Sequence, residues 1–89
     1  MGQAVRDWLE DFGEELLLAD GFDEAVIGVG ERCGQPPLVV YDAEKCIAIL
    51  MQRDGMSHQD AIDFFMTNTV GAWVGEKTPI FVWRPPFGK

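Results

Sequence analysis

The stretch LVVYDAEKCIAILMQRDGMSHQDAIDFF, residues 38–65, decides the fold because a strand pattern passes directly into helical patterns within it. Its first residues, 38–41, form a short apolar run rich in β-branched side chains, which predicts a strand. Asp42 then suits the N-cap of a helix over residues 43–53, since its side chain can accept a backbone N–H of the first turn. Gly55 fits the left-handed position that ends such a helix.

A second helix follows the first almost at once. Ser57 and Asp60 have the spacing of a capping box, with an acid in the first turn of the helix. Apolar residues then continue at helical intervals, which extends the predicted helix to about Thr69. The two helices are therefore expected to form a helical hairpin.

The first part of the chain predicts an amphipathic helix from Gln3 to Leu18. Apolar side chains recur there at three- and four-residue intervals, and acidic residues fill most of the other face. The apolar positions are Val5, Trp8, Leu9, Phe12, Leu16 and Leu17. Asp20 and Gly21 supply the expected stop. An apolar stripe of this kind needs a partner surface within the fold.

Three further segments predict strands. Residues 25–29 are small or β-branched and precede the strand at 38–41, while residues 70–74 and 79–83 flank a turn at 75–78. The order is therefore one helix, two strands, two helices and two strands. We expect an α+β domain in which three helices cover one face of a largely antiparallel sheet of about four strands.

The length and composition of the chain predict a single domain. A chain of 89 residues buries only about 60–65% of its unfolded surface and cannot fill two cores. We expect one domain over residues 1–89, with residues 1–2 and 84–89 as flexible ends. No apolar run approaches the ~18–20 residues that cross a bilayer, and two cysteines are too few for the disulfide framework of a small secreted protein. These features predict a cytoplasmic protein with free thiols.

Charge is distributed unevenly along the chain. Of the net charge of −8, residues 1–24 carry −7, with Arg6 as their one base, and residues 25–89 carry the remaining −1. Duplex nucleic acid and anionic membranes are disfavoured as partners, because binding phosphates needs a basic face. A solvated helix face explains the acidic end. The alternative is an inhibitor that uses residues 1–24 to occupy a basic groove on a nucleic-acid-binding protein.

The loop at residues 31–35 holds the densest group of chemically useful side chains. Arg32, Cys33 and Gln35 place a cation, a thiol and an amide on a backbone that the following prolines restrain. Arginine can clamp a carboxylate or phosphate with two hydrogen bonds, and glutamine can bind an amide or a base edge. This pattern indicates a site for a small polar ligand. The alternative, in which Arg32 pairs with a nearby acid and Gln35 binds turn amides, stays open.

Catalysis and metal binding have weaker support in the sequence. Cys33 is a candidate nucleophile if His58 acts as its base, which makes a small Cys-dependent enzyme an alternative to a binding protein. Cys46 stands on an apolar helix face, where a cysteine is usually a packing residue. Two cysteines and one histidine at these spacings do not form a zinc pattern. We expect no metal and no other cofactor.

Aromatic residues in the last part of the chain indicate a further contact. Trp73 lies in a short stretch flanked by glycines and either offers a ring face for stacking on a planar ligand or fills the core. Phe81, Trp83 and Phe87 would form an exposed patch if they shared one face of the sheet. Such a patch on a small domain predicts partner binding or self-association into a homo-oligomer.

Spaced motifs across most of the chain carry a resemblance to a known family. They are IGVGERCGQP at 27–36, VYD at 40–42, DGMS at 54–57 and GAWVGE followed by TP at 71–79, together with Lys45, Cys46 and Asn68. This combination resembles a family of short uncharacterised proteins encoded by tailed bacteriophages. The resemblance spans about residues 19–82 and implies expression inside an infected bacterium.

The resemblance also points to a set of site residues. Matching residues that are polar or aromatic without an evident folding role are expected to meet in one pocket. The predicted ligand-binding residues are Arg32, Cys33, Gln35, Tyr41, Asn68, Trp73, Glu76 and Thr78. Because no nucleophile, base and orienting group stand at a readable spacing, binding is favoured over catalysis. We therefore expect a phage accessory protein that binds a small polar or nucleotide-like ligand, or a host protein, in the host cytoplasm.

Overall fold

The computed structural model describes residues 2–12, 16–19, 21–71, 75 and 78–85. The elements in these residues are, in chain order, α1 (Gly2–Asp11), a 3-10 turn (Asp23–Ala25), β1 (Val26–Gly30), β2 (Leu38–Asp42), α2 (Ala43–Asp54), α3 (His58–Phe65), a π-helical turn (Met66–Val70) and β3 (Ile80–Val82). The fold is thus α+β, as the sequence predicts. Within the described ranges, no helix combines the length and apolar character needed to cross a bilayer.

The strands form a mixed sheet with β2 in its centre. β1 and β2 pair antiparallel, with Val29 opposite Val39, whereas β2 and β3 pair parallel, with Tyr41 opposite Phe81. The described residues therefore contain a three-stranded mixed sheet, in place of the predicted, largely antiparallel sheet of four strands. Parallel strands require a long crossover connection, and the two helices between β2 and β3 supply it.

The strand predicted at residues 70–74 does not begin where expected. Val70 belongs to the π-helical turn, and Gly71 follows in a turn, with its N–H donating to the carbonyl oxygen of Met66 at 3.1 Å. Residues 72–74 lie outside the described residues. Helical hydrogen bonding thus continues past α3 into a segment whose composition predicted a strand. Local β propensity is weak enough for tertiary context to override it.

α1 is shorter than the predicted helix, which extended to Leu18. It ends at Asp11, and the segment 16–19 is not helical. The backbone N–H of Ala19 instead donates a hydrogen bond of 2.8 Å to the hydroxyl of Tyr41. Apolar side chains of the same segment pack against the core. These tertiary contacts explain why the helical periodicity of the sequence does not continue as a helix.

The start and stop signals of the helical hairpin are confirmed. Asp42 accepts the backbone N–H of Lys45 at 3.2 Å as the N-cap of α2, and Ser57 accepts that of Asp60 at 3.2 Å as the N-cap of α3. Gly55 ends α2 with a φ of 70°, a conformation in which a Cβ atom is strained. N-caps of this kind stabilise a protein by about 1 kcal/mol each.

A single apolar core joins the helices to one face of the sheet. Val39 and Tyr41 share that face of β2, because side chains alternate along a strand. The buried core residues are Leu9, Phe22, Ala25, Val39, Tyr41, Ala43, Cys46, Ile47, Leu50, Ala61 and Phe65. The central strand and both helices of the hairpin thus contribute to the same cluster.

Aromatic rings connect β3 to this core. Phe81 stacks on Tyr41 with ring centroids 5.5 Å apart and meets the edge of Phe65 at 5.2 Å. Trp83 contacts Phe65 at 6.1 Å but remains 50% exposed. The predicted exposed patch is therefore wrong for Phe81, which faces the core, and Phe87 lies outside the described residues.

The predicted flexible ends are described only in part. Gly2 begins α1, and Arg84 forms an ion pair with Asp42, with 3.1 Å between Nη2 and Oδ2. Residues 1 and 86–89 lie outside the described residues. The Arg84 ion pair connects the chain just after β3 to the N-terminal end of α2, on the side of the molecule where the helical hairpin starts.

Candidate ligand-binding site

A tight turn in the loop after β1 organises the candidate site. The backbone N–H of Gln35 donates to the carbonyl oxygen of Arg32 at 3.0 Å, which closes a four-residue turn. Gly34 occupies the third position with a φ of 77°, as a type II turn requires. Such a turn holds the Cα atoms of its first and last residues within about 7 Å. It therefore places the side chains of Arg32 and Gln35 next to each other.

This turn borders a cavity of ≈ 430 Å³, which we call the turn pocket. Its lining residues are Gly30, Glu31, Arg32, Gln35, Pro36, Leu38, Thr78, Pro79 and Ile80. The parallel pairing of β2 and β3 explains how distant segments meet here. Parallel strands start at the same end of a sheet, so the residues before β3 lie beside the loop that precedes β2. Three of the predicted site residues, Arg32, Gln35 and Thr78, thereby come together.

The turn pocket combines apolar and polar walls. Its apolar lining consists of Pro36, Leu38, Pro79 and Ile80, and its polar side chains are Glu31, Arg32, Gln35 and Thr78. Pockets of about 300–1000 Å³ with mostly apolar walls and a few polar groups are typical small-molecule sites. The arrangement therefore suits a ligand with an apolar or planar body and one or two polar groups.

The polar side chains of the turn are available to a ligand. Arg32 and Gln35 are both exposed, and among the described residues neither side chain forms a hydrogen bond or an ion pair. The alternative in which Arg32 pairs with a local acid and Gln35 binds turn amides is therefore not what the structure contains. The turn is closed by backbone atoms alone, which leaves the guanidinium and the amide for other partners.

Thr78 is held in place by a second turn. Its hydroxyl donates to the carbonyl oxygen of Gly75 at 2.6 Å, and its backbone N–H donates to the same oxygen at 3.1 Å. The predicted turn from Gly75 to Thr78 is thus confirmed at both described ends. The hydroxyl hydrogen of Thr78 is therefore directed to the Gly75 carbonyl oxygen.

Two opposite charges at the turn pocket limit the charge of a ligand. Arg32 attracts a carboxylate or phosphate, whereas the neighbouring Glu31, which also lines the pocket, repels additional negative charge. The net charge of −8 on the whole chain also repels additional negative charge, as Glu31 does. The electrostatics therefore favour a ligand with one acidic group placed against Arg32.

Two predicted site residues lie away from the turn pocket. Cys33 occupies the exposed tip of the turn and is not among the lining residues. Tyr41 is fully buried beneath the helices, and its hydroxyl accepts the N–H of Ala19 at 2.8 Å. Burial raises the pKa of Tyr41 above its usual value of 10.0. Tyr41 is therefore a core residue, and its assignment to a ligand site is corrected.

Asn68, a further predicted site residue, does not line the turn pocket. Asn68 is exposed on the π-helical turn, and its Nδ2 donates to the carbonyl oxygen of Phe64 at 3.3 Å. This contact is local to the helix, so Asn68 has a structural role there. Trp73 and Glu76 lie outside the described residues.

Sequence reasoning missed part of the pocket wall. Leu38, Pro79 and Ile80 were assigned only to strands, although all three line the turn pocket. The signal that would have identified them is the parallel pairing of β2 with β3, which brings the starts of both strands together. Strand pairing is a long-range property, and the periodicity of a single segment does not carry it.

Cys33 and His58, the residues proposed for cysteine chemistry, lie at different places in the fold. His58 stands in the first turn of α3 and lines a different cavity from the one beside the turn, and no hydrogen bond joins it to Cys33 in the described residues. Cys46 is fully buried, which together with the negative charge of Asp42 raises the pKa of its thiol to about 12. Cys46 is thus a neutral packing residue.

One acidic residue near the start of the chain pairs with Arg6, and several others are exposed on α1. Arg6 donates from Nε to Oδ2 of Asp23 at 2.5 Å and from Nη2 to Oδ1 of the same residue at 3.1 Å. Asp7, Glu10 and Asp11 are exposed on α1. Over the described ranges, no group of three or more His, Cys, Asp or Glu side chains lies close enough to hold a metal ion.

Comparison with known proteins identified no relative of this chain. No protein-family model, no curated protein and no solved structure matches the chain.

Proposed function

We propose that this protein is a small accessory protein of a tailed bacteriophage that binds a small ligand with one acidic group in the turn pocket. The observation that carries the proposal is the pair of unengaged polar side chains, Arg32 and Gln35, at a cavity of ≈ 430 Å³. The resemblance to short phage proteins supports the host cytoplasm as its place of action.

The chemistry of the lining supports a carboxylate or phosphate joined to an apolar or planar body. The guanidinium of Arg32 can bind two oxygens of such a group at once, and the amide of Gln35 can donate and accept further hydrogen bonds. Pro36, Pro79 and Ile80 offer apolar surface to the rest of the ligand. A nucleoside monophosphate or an aromatic carboxylate has this combination of groups.

Binding is supported over catalysis by the composition of the same pocket. Its described lining contains no cysteine or histidine, and the hydroxyl of Thr78 is directed to the Gly75 carbonyl oxygen. Nucleophilic catalysis requires a nucleophile within hydrogen-bond reach of a base. The pocket is therefore proposed to recognise its ligand without transforming it.

Native mass spectrometry of the protein purified from infected and uninfected bacteria tests this function. We expect a discrete extra mass of a small molecule on the wild-type protein from infected cells. The variant Arg32→Ala should lose that mass, while Lys45→Ala, which removes the same charge from an exposed position on α2, should retain it. Retention of the same extra mass by Arg32→Ala, or its absence from the wild-type protein, would contradict the proposal.

A further inference from the structure

A second cavity of ≈ 400 Å³ lies on the helical hairpin, and we call it the hairpin groove. Its lining residues are Glu44, Ile47, Ala48 and Met51 of α2, His58 and Ile62 of α3, and Trp83 after β3. None of these residues belongs to the turn pocket. The hairpin groove therefore needs an explanation of its own.

Trp83 forms an aromatic wall of the groove. One part of its ring packs against the core, and another part is exposed to solvent. Its ring meets Phe65 at a centroid distance of 6.1 Å and an interplanar angle of 73°. Phe65 is completely buried, so this contact anchors the indole to the core. Half of the Trp83 side chain nevertheless remains exposed. A fixed, exposed indole is the most favourable side chain for attracting an organic cation to its face.

Glu44 adds a negative charge to the same groove. Its side chain is exposed in the first turn of α2, and it forms no ion pair with the described residues. Arg84, the base next to Trp83 in the chain, is paired with Asp42 at 3.1 Å and does not line the groove. The carboxylate of Glu44 thus has no ion-pair partner among the described residues, in a lining whose one other ionisable side chain is His58.

We propose that the hairpin groove binds an arginine or lysine side chain of a basic partner polypeptide. The cationic head lies between the Glu44 carboxylate and the Trp83 ring, and the aliphatic stem packs against Met51 and Ile62. The net charge of −8 on the chain attracts a basic segment over a longer range. This combination of an aromatic wall, an apolar wall and one acid is complementary to a basic side chain and not to an anion.

This binding site is independent of the turn pocket. The two cavities share no lining residue and have opposite preferences, since Arg32 selects an acidic group and Glu44 a basic one. Loss of binding at one site is therefore not expected to remove binding at the other. An experiment on the hairpin groove can fail without bearing on the ligand of the turn pocket.

Titration of the full-length protein with N-acetylarginine amide, followed by NMR, tests the proposal. N-acetylnorleucine amide serves as the neutral comparison, because it keeps an aliphatic stem and lacks the charge. We expect the arginine compound to shift the indole resonance of Trp83, assigned with the variant Trp83→Phe. The norleucine compound should bind more weakly, since it forms no ion pair or cation–π contact.

Substitution of Glu44 distinguishes recognition of the positive charge from nonspecific apolar binding. Glu44→Gln should weaken binding of the arginine compound by about two- to fivefold, the effect of one exposed ion pair. Glu10→Gln, which removes the same charge from an exposed position on α1, should leave the affinity unchanged. Equal binding of both compounds, equal affinity in Glu44→Gln, or an unshifted Trp83 resonance would each overturn the proposal.

Discussion

The backbone N–H of Gln35 donates a hydrogen bond of 3.0 Å to the carbonyl oxygen of Arg32, and this bond determines the shape of the turn pocket. It closes a turn whose first and last side chains are a guanidinium and an amide. Gly34 permits the turn through its φ of 77°. The polar part of the candidate site therefore depends on one residue that contributes no side chain to it.

The first prediction concerns Gly34. Gly34→Ala should lower the free energy of unfolding by about 1–2 kcal/mol, because an L-residue is strained at this positive φ. It should also weaken ligand binding by displacing Arg32 from Gln35. Gly28→Ala is the matched control, since its Cβ would meet no atom within 4 Å and its φ is not in the left-handed region. Urea unfolding of both variants measures the difference, and equal stability would contradict the turn geometry.

The second prediction concerns the two thiols. Cys33 is exposed and should react with a thiol reagent in the native protein, whereas Cys46 is fully buried with a pKa raised to about 12 and should react only on unfolding. The variant Cys33→Ser should therefore show no labelling in native buffer and one labelled thiol in denaturant. Labelling of native Cys33→Ser would show that Cys46 is accessible.

The third prediction assigns Tyr41 to the core. Tyr41→Phe removes the acceptor of the Ala19 N–H and leaves that donor unsatisfied, so the free energy of unfolding should fall by about 1–3 kcal/mol. Ligand affinity at the turn pocket should remain unchanged, because Tyr41 does not line it. Denaturant unfolding and a binding titration on the same variant check both statements. A lost affinity with unchanged stability would restore Tyr41 to the site.

The fourth prediction is a loss of stability at alkaline pH. Burial raises the pKa of Cys46 from 9.0 to about 12 and raises that of Tyr41 above 10.0. A group with a raised pKa in the folded state contributes stability that is complete below its unfolded pKa and is lost as pH rises. The free energy of unfolding should therefore decrease between pH 9.0 and about 12. The decrease should be smaller in Cys46→Ala, and identical profiles would contradict the assignment.

Local features of the fold could be predicted from the sequence, and long-range features could not. The caps Asp42 and Ser57 and the stop at Gly55 act through hydrogen bonds and dihedral angles within a few residues, and all three are confirmed. The direction of β3 depends on which strand it meets after the helical hairpin. No local pattern contains that information, and for this reason the predicted, largely antiparallel sheet is confirmed for β1 and β2 but not for β3.

The candidate site shows the same difference between local features, which the sequence predicts, and long-range features, which it does not. Arg32 and Gln35 were predicted as site residues because they stand in one short loop, the resemblance to phage proteins added Thr78, and all three line the turn pocket. Tyr41 was misassigned because its hydroxyl is satisfied by Ala19, in a segment that the sequence predicted as helix. The folding role of a polar group in an apolar strand can be recognised only when its hydrogen-bond partner is known.

An NMR titration with adenosine monophosphate and benzoate as probes tests directly whether the turn pocket binds an acidic ligand. The wild-type protein should show backbone amide shifts concentrated at Arg32, Gln35 and Ile80. Arg32→Ala should reduce the affinity by about fivefold, since Arg32 is exposed and one exposed ion pair contributes up to about 1 kcal/mol, and Lys45→Ala should not. If Arg32→Ala binds both probes as the wild-type protein does, or if the shifts lie away from the turn pocket, the turn pocket is not the ligand site.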